Sequence, residues 1–550
     1  MNRFLIPFIL SLFIGRAAFS QQKTIVREYK KVFKTYPFSD PNPVPQIEPH
    51  VKFGKIYPYF RYDGYSTESI EKEWNVVELE NDYVKITILP EIGGKIWSMT
   101  EKSTGYSVVY DNKVIKFRDI AIRGPWTKGG LEFNYGVIGH HVGCGTPVDY
   151  VIVPRPDGSV SCVIGLFDLL TETSWRVDIN LPKDKATCKL SSFWYNSSEI
   201  EQPYYSWFNF GVKTDGNLKF VFPGTKWIEH NGGINSWPIN TENGKDVSFY
   251  NNNDFGGYKS YHVFGEYAGF FGGYWLDDDF GMCRYATRDD KAGKKLWISG
   301  LSGQGDLFER ILTDNGGQSI EFQSGRLFNQ SWPQSTLTPF KHKGFMPRTT
   351  ALWTEYLFPV VKTKGFVAAN QYGALNLKDE NGFLMIFFSP LQSIQDSLFI
   401  AHDDKIIYSK KLSLGPLELF TDSVRVQVDI NKLRAVLGDK KLEYSPPSEN
   451  ILNRPVRSPD NFDWNSVYGL FLQGEEHIRD RKYKQAEEKI RACLEKDPNY
   501  LPALSKLSML LYRRMRYPDA LAEARKALSI DTYAPEANYY YGLVNSKLGN

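Results

Sequence analysis

The sequence predicts a multidomain chain: a large all-β body, a smaller β-sandwich-like module after it, and an α-helical repeat tail. Three observations carry this reading. Between residues 74 and 362, short strand-like runs follow one another across turn residues, with no convincing amphipathic helix between them. From about Ser466 the pattern becomes helical, and small residues recur every 34 positions. The 550 residues include 36 Phe, 33 Tyr and 13 Trp, a content that suits a large β core and surfaces facing sugars.

Residues 1–20 read as a secretory leader. Arg3 supplies a positive start, Phe4 to Ile14 is an almost unbroken apolar run, and Ala18-Phe19-Ser20 is a small-x-small cleavage site. The apolar run is too short to span a bilayer, and no later stretch is long and apolar enough to do so. The leader places the protein outside the cytoplasm, in the periplasm or at the cell surface. Losing it removes Arg3 and Arg16 and leaves the remaining basic residues one ahead of the 63 acidic ones. Such a balance gives no reason to expect nucleic acid or a charged membrane as partner. The five cysteines, Cys144, Cys162, Cys188, Cys283 and Cys493, stand far apart with no zinc spacing and read as free and buried.

Residues 21–73 are rich in Pro and Tyr, which favours an extended arm joining the main body. Within residues 74–362, Val84-Lys-Ile-Thr-Ile-Leu alternates, Pro90-Glu-Ile-Gly-Gly breaks it, and Lys95-Ile-Trp-Ser-Met resumes. Tyr150-Val-Ile-Val, Cys162-Val-Ile-Gly-Leu-Phe, Trp175-Arg-Val-Asp-Ile-Asn-Leu and Cys188-Lys-Leu-Ser-Ser-Phe-Trp-Tyr repeat the pattern. One extended double-sheet domain accounts for this stretch better than two small ones. Residues 366–435 hold four further candidate strands with few convergent polar groups, a packing or ligand-presenting unit. A Pro-rich linker occupies 436–465.

In the tail, 466–550, Gly474, Ser508 and Gly542 share the 34-residue spacing, as do Tyr483 with Tyr517, Ala486 with Ala520, and Cys493 with Ala527. These columns resemble tetratricopeptide repeats, in which small residues let two helices of a hairpin pack closely. Counted from Val467, two full repeats end at Ala534 and the third has room for one helix only. The expectation is a longer natural protein, with the apolar face of the last helix, including Tyr541 and Val544, left without its partner. The repeats imply a possible protein partner.

The stretch from Arg123 to His141 carries most of the chemistry. It reads Arg-Gly-Pro-Trp-Thr-Lys-Gly-Gly-Leu-Glu-Phe-Asn-Tyr-Gly-Val-Ile-Gly-His-His. Its glycines allow sharp turns and close backbone approach to a ligand. Trp126 and Tyr135 offer flat faces for a sugar ring, while Arg123, Asn134 and His141 can bind hydroxyl or carboxylate oxygens. Glu132 and His140 are candidate proton-transfer groups. Glu321 and Glu355 are the further carboxylates from which a catalytic pair could be drawn; a separation of about 5–5.5 Å would suit a retaining glycoside hydrolase, and roughly 6.5–9.5 Å would leave room for an inverting enzyme's water. The plainer alternative is an aromatic-rich turn whose polar groups are structural. No phosphate loop, dinucleotide fingerprint, zinc-protease motif or serine-hydrolase elbow occurs, so no cofactor and no metal are expected.

Several segments together resemble one bacterial family, the domain-of-unknown-function family 5107. They are Leu79-Glu-Asn-Asp-Tyr, Leu89-Pro-Glu-Ile-Gly-Gly-Lys-Ile, the Arg123 stretch, Gly139-His, Gly293-Lys-Lys-Leu-Trp, Leu312-Thr-Asp-Asn-Gly-Gly and Trp353-Thr-Glu-Tyr-Leu-Phe-Pro. Lys95 stands where that family usually carries Arg. The resemblance implies a galactose-mutarotase-like β-supersandwich, a fold that hosts sugar epimerases and domains of glycoside hydrolases, lyases and phosphorylases. The expected function is an exported carbohydrate-active protein, with a glycoside hydrolase using paired carboxylates first. A sugar mutarotase or epimerase, and a non-catalytic glycan-binding module on a repeat scaffold, are the alternatives.

Overall fold

Alternating residues between Leu131 and Gly136 set the geometry of the whole body. Leu131, Phe133 and Tyr135 point into an apolar core, while Glu132 and Asn134 point to the other side of the sheet. The computed structural model of the protein describes residues 23–42, 58–119, 124–136, 139–230, 232–299, 301–330, 343–452 and 458–550. The leader-like segment and Arg123 lie outside the described residues.

Two packed sheets form the body. The larger contains β1 (Ile25–Tyr36), β2 (Ile70–Glu80), β3 (Val84–Leu89), β4 (Lys95–Glu101), β5 (Leu131–Gly136), β6 (Tyr205–Lys213), β7 (Lys259–Phe264), β8 (Gly293–Ile298) and β9 (Ser319–Gly325). Their order across the sheet is β7-β8-β9-β6-β5-β4-β3-β2-β1, with short strands at both edges. The second sheet is eight-stranded among the described residues and includes β10 (Thr350–Val361). Phe208, Phe210, Phe322 and Leu296 from the first sheet meet Trp175, Ile179, Trp194 and Trp353 from the second in one buried core. Burial of each such side chain stabilises the fold by roughly 1.5–3 kcal/mol.

The Pro/Tyr-rich arm supplies β1, paired with β2 from Ile25↔Glu80 to Thr35↔Ile70. The described residues 25–36 of the arm are therefore integral to the large sheet. The expectation of an all-strand body needs one correction. Helix α1 (Gly303–Leu312) lies against the large sheet, started by Ser302, whose Oγ accepts a hydrogen bond from Gly305 N. Two glycines in its first turn lower its intrinsic helix preference. Packing wins instead: Phe308, Ile311 and Leu312 cluster with Trp126 and Cys144.

Behind the body, two four-stranded sheets form the small module. Its last two strands, Leu433–Leu437 and Leu442–Tyr444, continue into residues the sequence suggested were linker. Phe366, Ala369 and Leu391 of this unit pack on Phe270, Tyr274 and Phe358, the outer face of the second sheet. The module thus sits on the side of the molecule away from Glu132.

The tail folds as α2 (Val467–Arg479), α3 (Tyr483–Lys496), α4 (Leu501–Arg513), α5 (Tyr517–Ile530) and α6 (Pro535–Leu548). Helix starts at 467, 501 and 535 repeat the sequence period. A Cβ at Gly474 would meet Ile490 at 2.6 Å, and Ser508 Oγ donates to Ala520 O at 2.8 Å, whereas Gly542 faces open space. Val544 is nonetheless fully buried and Tyr541 half-buried, so the apolar face of α6 is less bare than expected. The first helices of the hairpins grip the body's own segment at 199–201. Lys506 Nζ lies 2.7 Å from Glu201 and 2.9 Å from Glu536, and Tyr539 donates to Glu199 O at 3.0 Å. No helix among the described residues is long and apolar enough to cross a membrane.

Candidate functional site

A straight polar row crosses the large sheet on the face opposite the core. Glu132 pairs with Asn209, Asn209 with Gln323, Gln323 with Lys295, and Lys295 with His262. Side chains at paired positions of adjacent strands share a face, so the register alone brings five polar groups from β5, β6, β9, β8 and β7 together. One step along the strands, Gly211, Glu321 and Trp297 form the next row. Two glycines shape the floor. Gly130, at φ +65°, turns the chain into β5 where a Cβ would stand 2.4 Å from Ile96 O. Gly325 lies beneath the Trp207 ring, where a Cβ would stand 2.2 Å from an indole carbon.

Glu132 is the hub. Its Oε2 accepts from Trp126 Nε1 at 2.6 Å and its Oε1 from Asn134 Nδ2 at 2.8 Å. His140 Nδ1 lies 2.6 Å from Oε1, and Lys95 Nζ lies 3.7 Å from Oε2. Lys95 is itself fixed by donating to Thr127 O at 2.7 Å. Burial alone would raise the carboxyl's pKa. The charge and hydrogen bond of His140, the charge of Lys95 and the Asn134 amide outweigh it and bring Glu132 down to about 2. Burial conversely works against charge on His140, but Glu132 overrides it and raises the imidazole's pKa. Because an ionised carboxylate only accepts, Nδ1 is the donor in this bond. Nε2 has no partner among the described residues, and the ring is partly exposed.

Glu321 is half-buried and accepts from Gln323 Nε2 at 2.5 Å. It acts electrostatically on His140, Lys128 and Lys295. Lys295 Nζ donates to Gln330 Oε1 at 2.5 Å, and Gln330 Nε2 contacts Gln323 Oε1 and Tyr205 at 2.8 Å. His262 anchors this segment: its Nε2 accepts from Gln330 N at 3.1 Å while its Nδ1 donates to Ile228 O at 2.8 Å. Burial keeps His262 neutral, with its pKa well below the usual value. Trp297 stacks on the half-exposed Tyr258 with centroids 5.8 Å apart and borders Phe308 of α1.

Of the expected site residues, Glu132, His140 and Glu321 share this face. Glu355 does not. It is fully buried between the sheets, where Arg284 Nε and Ser324 Oγ each donate to it at 2.6 Å and Lys291 lies 2.9 Å away. Its place on β10, opposite the core face of β9, makes it the centre of an internal ion cluster. Tyr135 also turns inward. It stacks on Trp175 at 4.8 Å and donates to Ser192 Oγ, so it offers no ring to a ligand. Alternation along β5 forces this once Glu132 faces outward. His141 is buried and structural: its Nδ1 accepts from Gly143 N at 2.9 Å and its Nε2 lies 3.4 Å from Asp168. Trp126 and Asn134 serve Glu132 through their N–H groups rather than presenting open surfaces. The sequence reading missed Lys128, Asn209, Lys295, Trp297 and Gln323. The segment Gly293-Lys-Lys-Leu-Trp did hold a signal, since alternation places Lys295 and Trp297 on one side and Leu296 on the other.

A family profile described as a domain of unknown function, DUF5107, matches residues 51–360, more than half of the chain. The chain belongs to the DUF5107 family. The DUF5107 segment contains the polar row, Glu132, His140 and Glu321, and ends within β10, before the small module and the repeats. A TPR-domain containing protein from Parabacteroides distasonis shares the fold over 96% of this chain and 84% of its own, with 19% identity and a TM-score of 0.54. A putative aldose 1-epimerase from Klebsiella pneumoniae matches with 10% identity and a TM-score of 0.36, over 53% of this chain and 81% of its own. A galactose mutarotase-like protein from Lactobacillus casei matches with the same identity and score, over 52% and 99%.

Proposed function

We propose that this DUF5107 protein acts on carbohydrate at the polar face of its large sheet, moving protons at the anomeric centre of a sugar. The observation that carries the reading is the Glu132–His140 pair: a carboxylate buried to 3% exposure raises the pKa of an imidazole whose other nitrogen has no partner among the described residues. His140 Nε2–H supplies the acid and Glu321, half-buried nearby, the base. Glu321 takes the O1 proton of a cyclic sugar while His140 protonates the ring oxygen. The bond from C1 to the ring oxygen breaks and an open-chain aldehyde forms. Reclosure on the other face, with the protons returned, inverts the anomer. Trp297 and Tyr258 offer a wall for the apolar side of the ring.

This favours mutarotation or epimerisation over hydrolysis by paired carboxylates. Glu132 and Glu321 lie two strands apart and one two-residue step along. Ordinary strand spacings put their α-carbons about 12 Å apart, so the reach of the side chains sets the carboxyl separation and distance alone does not decide against a carboxylate pair. Glu132 is held ionised, however, so it has no proton for a leaving group. A non-catalytic glycan-binding module remains the reading from another class. The leader-like start of the sequence supports export to the periplasm or cell surface. The repeats are proposed to meet a protein partner away from the face that already holds Glu199 and Glu201.

The test is a panel of reducing sugars and oligosaccharides incubated with the full chain and followed by NMR. Anomeric exchange above the spontaneous rate, lost in His140→Asn, supports the proposal. Reducing-end release would move the assignment to hydrolysis, and binding with neither would leave a lectin-like module.

A further inference from the structure

Two buried lysines face this site with no carboxylate to neutralise them at close range. Lys128 is 8% exposed, and no hydrogen bond or ion pair joins its ammonium to another described residue; the charges acting on it are those of Glu321 and Glu309. Lys295 is 3% exposed, and its hydrogen-bond partner among the described residues is the neutral Gln330 amide. Glu321 acts on both electrostatically, yet it forms an ion pair with neither within 4 Å. Glu309 of α1 also acts on Lys128, from further out. Lys95 and His140 are already committed to Glu132. Burying a cation without an anion is unfavourable, and the fold accepts that here twice over. The surplus is local, because the chain as a whole is close to neutral, with 66 basic and 63 acidic residues.

Resting on the carbohydrate reading above, we infer that the sugar taken by this site carries an oxyanion substituent, received by Lys128 with Lys295. A uronic carboxylate, a sulfate ester and a phosphate ester share that chemistry. Lys128 stands on the turn before β5 and Lys295 in the polar row, and both lie within electrostatic reach of Glu321, which places the substituent on the Glu321 side of the site. Burial lowers Lys128 to about 8 and Lys295 to about 7. Both ammonium groups are therefore responsive near neutral pH, and a bound anion draws them to the charged form.

The test is calorimetric titration of the full chain at low salt with galactose, galacturonate, galactose 6-sulfate and galactose 6-phosphate, and with the corresponding glucose series. At least one acidic sugar should bind about tenfold or more tightly than its neutral counterpart, as a charged hydrogen bond formed away from water allows. The winning member identifies the substituent. Lys128→Gln should erase the preference while leaving neutral-sugar affinity in place, and Lys128→Arg should retain it. The Gln variant should melt no lower than the parent, since it removes an unpaired buried charge. Neutral sugars binding as tightly as acidic ones, or a preference surviving both Lys128→Gln and Lys295→Gln, would overturn this inference and leave the carbohydrate site standing. Binding of no sugar of either kind would overturn both.

Discussion

Replacing Glu132 by Gln should discharge His140 without dismantling the site. The amide keeps the length of the side chain and a carbonyl oxygen near His140 Nδ1, but not the charge. A carboxyl brought from 4.5 to about 2 has its ionised form stabilised by about 3 kcal/mol, at roughly 1.36 kcal/mol per pH unit. His140 is the largest contributor to that lowering, against the opposing effect of burial. The same interaction keeps the imidazole charged. Without it, burial and the Lys295 charge act to lower the His140 pKa, and of the two carboxylates that raise it only Glu321 remains. His140 should then give up its proton at a lower pH in the variant than in the parent. Histidine-selective NMR titration, with His140 assigned by its loss in His140→Asn, reads this directly. The midpoint should lie above 6.5 in the parent and fall in the variant. Anomeric exchange at pH 7 should drop roughly 10²–10⁴-fold and recover partly as pH falls. Stability follows the same linkage. The Glu132 contribution is present above pH 4.5 and lost as pH falls toward 2; that of His140 is complete below pH 6.5 and lost as pH rises through its raised value. The melting difference between parent and variant should peak between about pH 4.5 and 6.5. An unchanged His140 midpoint in Glu132→Gln would refute the reasoning.

Three further substitutions separate structural from functional groups. Glu355→Gln leaves Arg284 and Lys291 buried without their anion and should cost about 3–5 kcal/mol in denaturant unfolding. Sugar affinity per folded molecule should stay the same, and lost affinity at full stability would restore Glu355 to the site. Tyr135→Phe removes one buried hydrogen bond to Ser192 and should cost about 0.5–1.5 kcal/mol of stability; isothermal titration should find no change in ligand Kd. Glu201→Gln leaves Lys506 with Glu536 alone, so amide hydrogen exchange should quicken in α4 and α6 while the large sheet keeps its protection. Equal acceleration in both would mean that the repeats and the body unfold as one unit.

Local pattern made much of the fold legible. The 34-residue columns predict helix starts that the structure reproduces at Val467, Leu501 and Pro535, because close helix contacts need small residues at fixed positions. Alternation along β5 contains the correction to Tyr135, which cannot share a face with Glu132. Helix α1 was hidden because its glycines argue against it and contacts distant in sequence, with Trp126, Cys144 and Trp297, hold it. The site was half legible. Glu132 and His140 are close in sequence and share one aromatic, glycine-rich stretch. The row Asn209–Gln323–Lys295–His262 depends on the register of strands far apart in the chain, and one sequence does not specify that register. Glu355 sits in a motif as distinctive as that of Glu132, yet its role depends on which sheet face β10 turns to the core.

The central claim is that sugar binds on the polar face of the large sheet, between His140, Glu321 and Trp297. A crystal structure of the full chain soaked with a saccharide that binds in solution tests it most directly. The account predicts a sugar ring against Trp297, with its anomeric oxygen and ring oxygen within hydrogen-bond reach of Glu321 and His140 Nε2. A sugar found only in the small β module or along the helical repeats, with this face empty, would contradict it.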